Sequence, residues 1–186
     1  MTLTPNRHGS PVSTGTSAAT GTAPNLGVAA GRAVAVLRIA YGFTFLWAFV
    51  DKVFGLGFAT KSGKGWLDGG NPTAGFLKGA EGPFAGFYHS LAGDFWVSPL
   101  FMIGLAGIGL ALILGVAVRL TAVAGTVLYL MMWSAALPPT TNPLIDDHII
   151  GAITLVALAL LAAGRTWGLA DRWNNLDIVR RYPWLR

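Results

Sequence analysis

The stretch Asn142-Pro143-Leu144-Ile145-Asp146-Asp147-His148 sets two carboxylates and an imidazole side by side, directly ahead of an apolar run. These are proton-handling groups: histidine titrates near neutrality, and a neighbouring acid fixes its tautomer. From Ile149 to Gly164 no residue is charged, and only Thr154 has a polar side chain. Counted from Leu144 the run reaches about 20 residues, and a helix rising ~1.5 Å per residue then crosses a ~30 Å hydrocarbon core. The sequence thus predicts a spanning helix with Asp146, Asp147 and His148 at its entrance. Turned toward a bundle interior, such groups cost several kcal/mol and mark function. The plainer reading is a helix cap, in which an acid bonds the first free amides and favours the positive helix end. A cap needs only one acid, so the cluster is read as a proton relay.

Other polar groups are expected to join it. Asp51 and Lys52 close the first apolar segment, and His89 lies in the loop that follows. Arg38 sits about one turn inside the other end of that segment, where it either snorkels to lipid phosphates or faces the bundle toward carbonyls or an anionic ligand. Two acids, an ammonium and an imidazole beside an aromatic-lined opening suit a quinone head group and its two protons. Arg38, Asp51, Lys52 and His89 are accordingly the candidate quinone- or substrate-binding residues, and no metal site is expected. A bis-histidine haem is not expected either: His8 falls in the N-terminal tail, His89 in a loop, and only His148 touches a span. Gly63–Gly70 matches no phosphate loop, and no Ser-His-Asp or HExxH signature of a soluble-type catalytic site is present.

Composition fixes the solvent these groups meet. Apolar residues make up 53% of the 186 and charged residues 11%, against roughly a quarter charged in soluble domains. The chain therefore reads as an integral membrane protein. Its net charge of +5 is no nucleic-acid footprint, because the basic residues do not gather on one polar face. The absence of cysteine excludes disulfides, thiolate-held iron–sulfur clusters and persulfide chemistry on this chain.

The elements that position the polar groups follow from the apolar runs. Residues 1–29 form a Thr-, Ser-, Gly- and Pro-rich tail expected to be disordered and cytoplasmic; Arg7 and His8 are followed by no apolar signal segment. Spans are expected near 33–54, 97–118 and 120–137, with the opening stretch as the fourth. Pro138-Pro139 ends the third, and Gly107, Ala111 and Gly115 make a small-residue ridge for packing in the second. The fold class is therefore all-α, an integral membrane four-helix bundle with a long aromatic and Gly-rich outer loop between spans one and two. Short helices are expected there at 72–80 and 83–92. Residues 30–165 are the membrane domain. Residues 166–186, with Trp and Arg interspersed, form an interfacial cytoplasmic tail. All nine arginines lie in the N-terminal segment, at Arg38, at the short turn around Arg119, or after Gly164, which puts both termini in the cytoplasm of a multi-pass plasma-membrane protein.

The stretches FLWAFVDKVFGLGFAT (45–60), GGNPTAGFLKG (69–79), GPFAGFYHSLAG (82–93) and LPPTTNPLIDDHIIGA (137–152) resemble the DoxX/DoxD family of small membrane proteins. The likeness runs from about 30 to 165 and takes in Arg38, Gly42 and Lys52. It implies a four-helix membrane protein whose polar positions are Arg38, Asp51, Lys52 and Asp146-Asp147-His148. The DoxD branch is the membrane subunit of thiosulfate:quinone oxidoreductase, which oxidises thiosulfate to tetrathionate outside the cell and passes the electrons to quinone. By resemblance, then, this chain would be a quinone-linked thiosulfate dehydrogenase subunit. Its partner would be a DoxA-like subunit or another redox protein on the outer face, with membrane lipid around it and a homo-oligomer left open. A second class is a non-catalytic scaffold that anchors a partner enzyme through the loop. Solute transport is the weakest reading, since polar groups at one mouth trace no path across.

Overall fold

The computed structural model describes residues 27–140 and 142–186, so the expected disordered tail, with Arg7 and His8, lies almost wholly outside the described residues. Helices run in chain order as α1 (Val28–Phe54), α2 (Ala74–Lys78), α3 (Ala85–Leu91), α4 (Val97–Leu114), α5 (Val118–Ala135), α6 (Asp147–Leu160), α7 (Ala170–Asn174) and α8 (Asp177–Arg181). Among the described residues there is no strand. Three helices, α1, α4 and α5, are long and apolar enough to cross a membrane.

Their ends are set by local chemistry. The 27-residue α1 stops at Gly55, whose left-handed backbone (φ 62°) lets its amide turn back onto the Asp51 carbonyl at 2.8 Å. α4 stops at Gly115 (φ 67°), and α5 begins three residues later, giving the tight turn the sequence predicts. α6 is shorter than expected, 14 residues rather than about 20. The Asp146 carboxylate accepts the Ile149 amide at 3.1 Å and starts the helix there, while Asn142 gathers the amides of Leu144 and Ile145 into a turn before it. At ~1.5 Å per residue α6 is about 21 Å long, less than a ~30 Å core.

α1 packs along α4 and α5 along α6, antiparallel in both cases, and α4 joins the two pairs through α5. Glycines permit the closest approaches. A Cβ on Gly109 would meet the Leu46 amide nitrogen at 2.7 Å and the Gly42 carbonyl oxygen at 3.0 Å, so α1 and α4 touch backbone to backbone. Of the expected ridge of Gly107, Ala111 and Gly115, only Gly115 is closely approached, by Arg38 and Gly168 beyond the end of α4, and Gly107 is exposed with open space about it. Gly109 lies two residues on, roughly 200° round the helix. Between α5 and α6, Gly125 lies under Leu155 and Gly151 under the Tyr129 ring. Phe45, Met102, Leu112, Leu155 and Leu158 fill the core.

The outward faces are apolar too. Ile103 is 70% exposed, Ile153 63% and Leu160 71%. Faces of that composition suit contact with lipid, and the protein is membrane-embedded.

The loop between α1 and α4 folds over one end of the helices. Its short helices α2 and α3 fall where the sequence predicts them. Tyr88 is buried and donates from its hydroxyl to the Met131 carbonyl at 2.9 Å, fastening the loop to α5. Asn71 fastens it to α4: its side-chain oxygen accepts from the amides of Thr73 and Ala74 and from the hydroxyls of Thr73 and Ser98. At the opposite end the tail does more than lie along a surface. Val179 is fully buried, and the Arg186 carbonyl accepts the amides of Arg119 and Leu120 at the start of α5.

Candidate functional site

The Asp146–His148 pair stands at the loop end, where α6 begins. Nδ1 of His148 lies 2.7 Å from Oδ2 of Asp146, and facing a carboxylate that nitrogen is the one that carries the proton. Nε2 is then left as the nitrogen free to accept one. Burial alone would raise the Asp146 carboxyl, but its bonds from His148 and the Ile149 amide outweigh that and hold it below its usual range. Asp147 is 92% exposed, 3.5 Å from the same Nδ1. The imidazole meets the Tyr129 ring edge-on at 6.0 Å, and Trp133 donates to the Leu144 carbonyl at 3.0 Å to hold the preceding turn. Asp146 thus forms the helix cap, the plainer of the two sequence readings, with one oxygen and orients His148 with the other. The ligand atoms of the three residues lie within 4.8 Å of one another, yet a cation there would compete with the proton already shared by Asp146 and His148.

Asp51 and Lys52 also stand at the loop end, with different surroundings. Asp51 is buried, and its two oxygens accept the amides of Phe58 and Thr60 at 3.3 and 2.8 Å. It shapes the loop. Lys52 lines a cavity of about 900 Å³ under that loop. Thr60, Lys61, Lys64, Asn71 and Thr73 complete its polar end, and α4 and α5 supply an apolar slot at Leu100, Gly104, Ile108, Val127, Leu128 and Met131. Leu100 is 58% and Val127 52% exposed, so the slot opens sideways between the two helices. In size and lining it has the form of a small-molecule site, apolar with a few convergent polar groups.

The expected convergence is therefore divided. Asp146, Asp147 and His148 do not line the cavity. On α5, at ~100° per residue, Tyr129 and Trp133 face the start of α6, while Val127, Leu128 and Met131 face the cavity. His89 is in neither group: its Nε2 lies 3.0 Å from the Ala80 carbonyl oxygen and ties α3 to the turn before it.

Arg38 is at the far end altogether, 13 residues before Asp51 on α1 and thus about 20 Å away. It is fully buried, and its guanidinium donates to the carbonyls of Leu112, Ile113, Thr166 and Trp167. Those of Leu112 and Ile113 belong to the last turn of α4: the Leu112 carbonyl also accepts the Gly115 amide at 3.1 Å, while that of Ile113 lies beyond the reach of the helix's own amides. Arg38 faces the interior, one of the two alternatives the sequence offered.

Sequence reasoning passed over Lys61, Lys64, Asn71, Thr73 and Tyr88. Asn71-Pro72-Thr73 carries the one usable signal, since asparagine followed two residues on by a free amide commonly closes an Asx turn. Compared with family models, with curated proteins and with solved structures, the chain matches none. The likeness to DoxX proteins rests on the quoted motifs.

Proposed function

We propose that the chain is the membrane subunit of a quinone-linked oxidoreductase, with quinone bound in the cavity under the loop. The cavity carries this reading: a polar end with lysine, threonine and asparagine donors for quinone carbonyls, joined to an apolar slot open to lipid for the isoprenoid chain. α6, with its flanking residues, serves as a fourth crossing in a four-helix bundle. The arginine-rich turn end faces the cytoplasm of a plasma-membrane protein, by the bias of basic residues, so the loop lies outside. Thiosulfate is the donor by resemblance alone. Two thiosulfates joined as tetrathionate release two electrons, and quinone takes these with two protons to become quinol. No residue of this chain can accept those electrons from sulfur, so a partner such as a DoxA-like subunit on the outer face must deliver them. His148, oriented by Asp146, exchanges protons with water at the same face, one helix face away from the quinone.

The test uses protein purified in mild detergent with its lipid and partners retained. Bound quinone is extracted and identified, then thiosulfate and a soluble quinone analogue are added and reduction is followed. The expected result is bound quinone and thiosulfate-dependent turnover, lost in Lys52→Gln together with Ile108→Trp, which fills the slot. Absence of both quinone and turnover removes the reading.

One observation favours the scaffold as second reading. Phe58, Phe87 and Phe95 project from the loop, Phe95 at 90% exposure, and such aromatics serve as anchors for a partner. Under that reading, changing them to serine releases a co-purifying protein while Lys52→Gln does not.

A further inference from the structure

The cavity under the loop carries charge of a single sign. Lys52, Lys61 and Lys64 line it, and no carboxylate does. The nearest acids are committed elsewhere: Asp51 to the amides of Phe58 and Thr60, Asp68 to the amide of Gly65 at 3.1 Å. Among the described residues, the ion pairs both belong to His148. Asp51, next to Lys52 in the chain, offsets part of its charge, whereas Lys61 and Lys64 are exposed at the rim and neither forms an ion pair, so the cavity keeps an excess of positive charge. A neutral quinone supplies carbonyl oxygens to such a place but no charge.

The rest of the lining says what kind of anion would fit. Leu100, Gly104 and Ile108 are spaced four apart on α4, and Ala124, Val127, Leu128 and Met131 share one face of α5. These two rows bound the slot. A small hydrated anion would leave it filled with water or lipid, whereas a chain attached to the anion would fill it and reach it sideways without crossing the loop.

We propose that the cavity binds a single-chain anionic amphiphile, its carboxylate or phosphate held among Lys52, Lys61 and Lys64 and its chain laid between α4 and α5. This goes beyond the quinone reading. The two are competing occupants of one cavity, told apart by head-group charge.

The experiment is displacement of a dansylated undecanoic acid from the full chain in an uncharged maltoside detergent. The competitors are oleate, oleoyl lysophosphatidate, oleyl alcohol and a decyl quinone. Oleate or lysophosphatidate is expected to displace the probe at concentrations ~10-fold or more below oleyl alcohol, the factor that one or two charge-assisted hydrogen bonds provide. That advantage should shrink as salt is raised. The better of the two competitors identifies carboxylate or phosphate as the preferred head. Lys52→Gln with Lys61→Gln and Lys64→Gln should erase the advantage without lowering the thermal midpoint, and Gly104→Leu should lower binding of charged and uncharged chains alike. Equal displacement by oleate and oleyl alcohol overturns the proposal, as does wild-type oleate binding in the triple variant. A decyl quinone that fails to compete, while oleate binds, removes the quinone reading and leaves this one standing.

Discussion

At the turn end of the helices the Arg38 guanidinium is fully buried and four backbone carbonyls converge on it. At the loop end Lys52, Lys61 and Lys64 line an open cavity that no acid lines, and none of them forms an ion pair. Both places combine cations with apolar helices, and the difference lies in what answers the charge. The terminal nitrogens of Arg38 serve carbonyls at the end of α4 and in the 166–167 turn, so the fold itself answers most of the guanidinium and leaves only its Nε without a partner. The planar guanidinium suits several acceptors at once, which an ammonium does not. Lys52 has only the partial answer of Asp51 beside it, and Lys61 and Lys64 form no ion pair, so a group from outside the chain can complete their site. A buried cation is thus no evidence of a binding site until its partners are counted.

The strongest test of that contrast is Arg38→Leu. It removes the charge and takes the side-chain donor from the carbonyls of Ile113, Thr166 and Trp167, whereas that of Leu112 keeps the Gly115 amide. Loss of one partner from a buried charged arrangement costs roughly 3–5 kcal/mol, and in a chain of this size each kcal/mol shifts the thermal midpoint by about 2–4 °C. A fall of ~10 °C in detergent, with Arg38→Lys intermediate, is the expected outcome. A midpoint within a degree of wild type would show that these carbonyls find other donors, and the contrast between the ends would dissolve.

Asp51→Ala should come next, acting at the loop end through backbone rather than charge. The amides of Phe58 and Thr60 lose a charged acceptor, at a cost of about 1–2 kcal/mol for two part-buried hydrogen bonds. Because the 55–65 loop carries Lys61 and Lys64, amphiphile binding should fall with stability. Hydrogen exchange at the Thr60 amide should rise while that of core α5 amides stays slow.

What the sequence disclosed follows the same division. Composition and run length disclosed the membrane environment and three long helices, because hydropathy over a turn or more depends on no partner. The loop helices were legible from their prolines. The extent of α6 was not, since the apolar run from Leu144 does not show that Asp146 captures the Ile149 amide and starts the helix late. The helix-packing glycine was missed for a related reason. Gly107, Ala111 and Gly115 recur at a regular spacing, but which face of α4 meets α1 is decided by Gly42 and Leu46 across the interface. The candidate site was legible by residue type and not by grouping. Arg38 and Asp51 could be named as polar positions, yet only tertiary contacts show that backbone groups use them both. Lys61 and Lys64 look like ordinary loop lysines until the loop is laid over the slot.

Asp146 offers a smaller effect whose sign can be worked out. Its carboxyl is held below the ordinary value of 3.8 in the folded chain. A group depressed on folding stabilises fully above its unfolded value, and that contribution is lost as pH falls through the folded one. Stability should therefore decline below about pH 4. Asp146→Asn should flatten that decline, because the amide oxygen keeps the cap, whereas Asp146→Ala should lose ~1 kcal/mol at neutral pH as well. An Asn variant that keeps the full acid sensitivity would place the responsible proton elsewhere.

The smallest expected change in stability is also the one that completes the contrast. Replacing Lys52, Lys61 and Lys64 by glutamine removes three positive charges and breaks no ion pair. Surface changes of this kind shift stability by no more than about 0.5 kcal/mol. The sign should be favourable at low salt, where like charges repel most, and should vanish as salt screens them. Set beside Arg38→Leu, the result separates two uses of cationic side chains in one small membrane protein. Where the fold completes the charge, its removal costs the fold. Where it does not, removal leaves stability in place and takes away ligand binding, measured on the same sample by probe displacement. A large loss of stability in the triple variant would mean that the lysines already have partners within the chain, and the cavity would then have no charge left to offer.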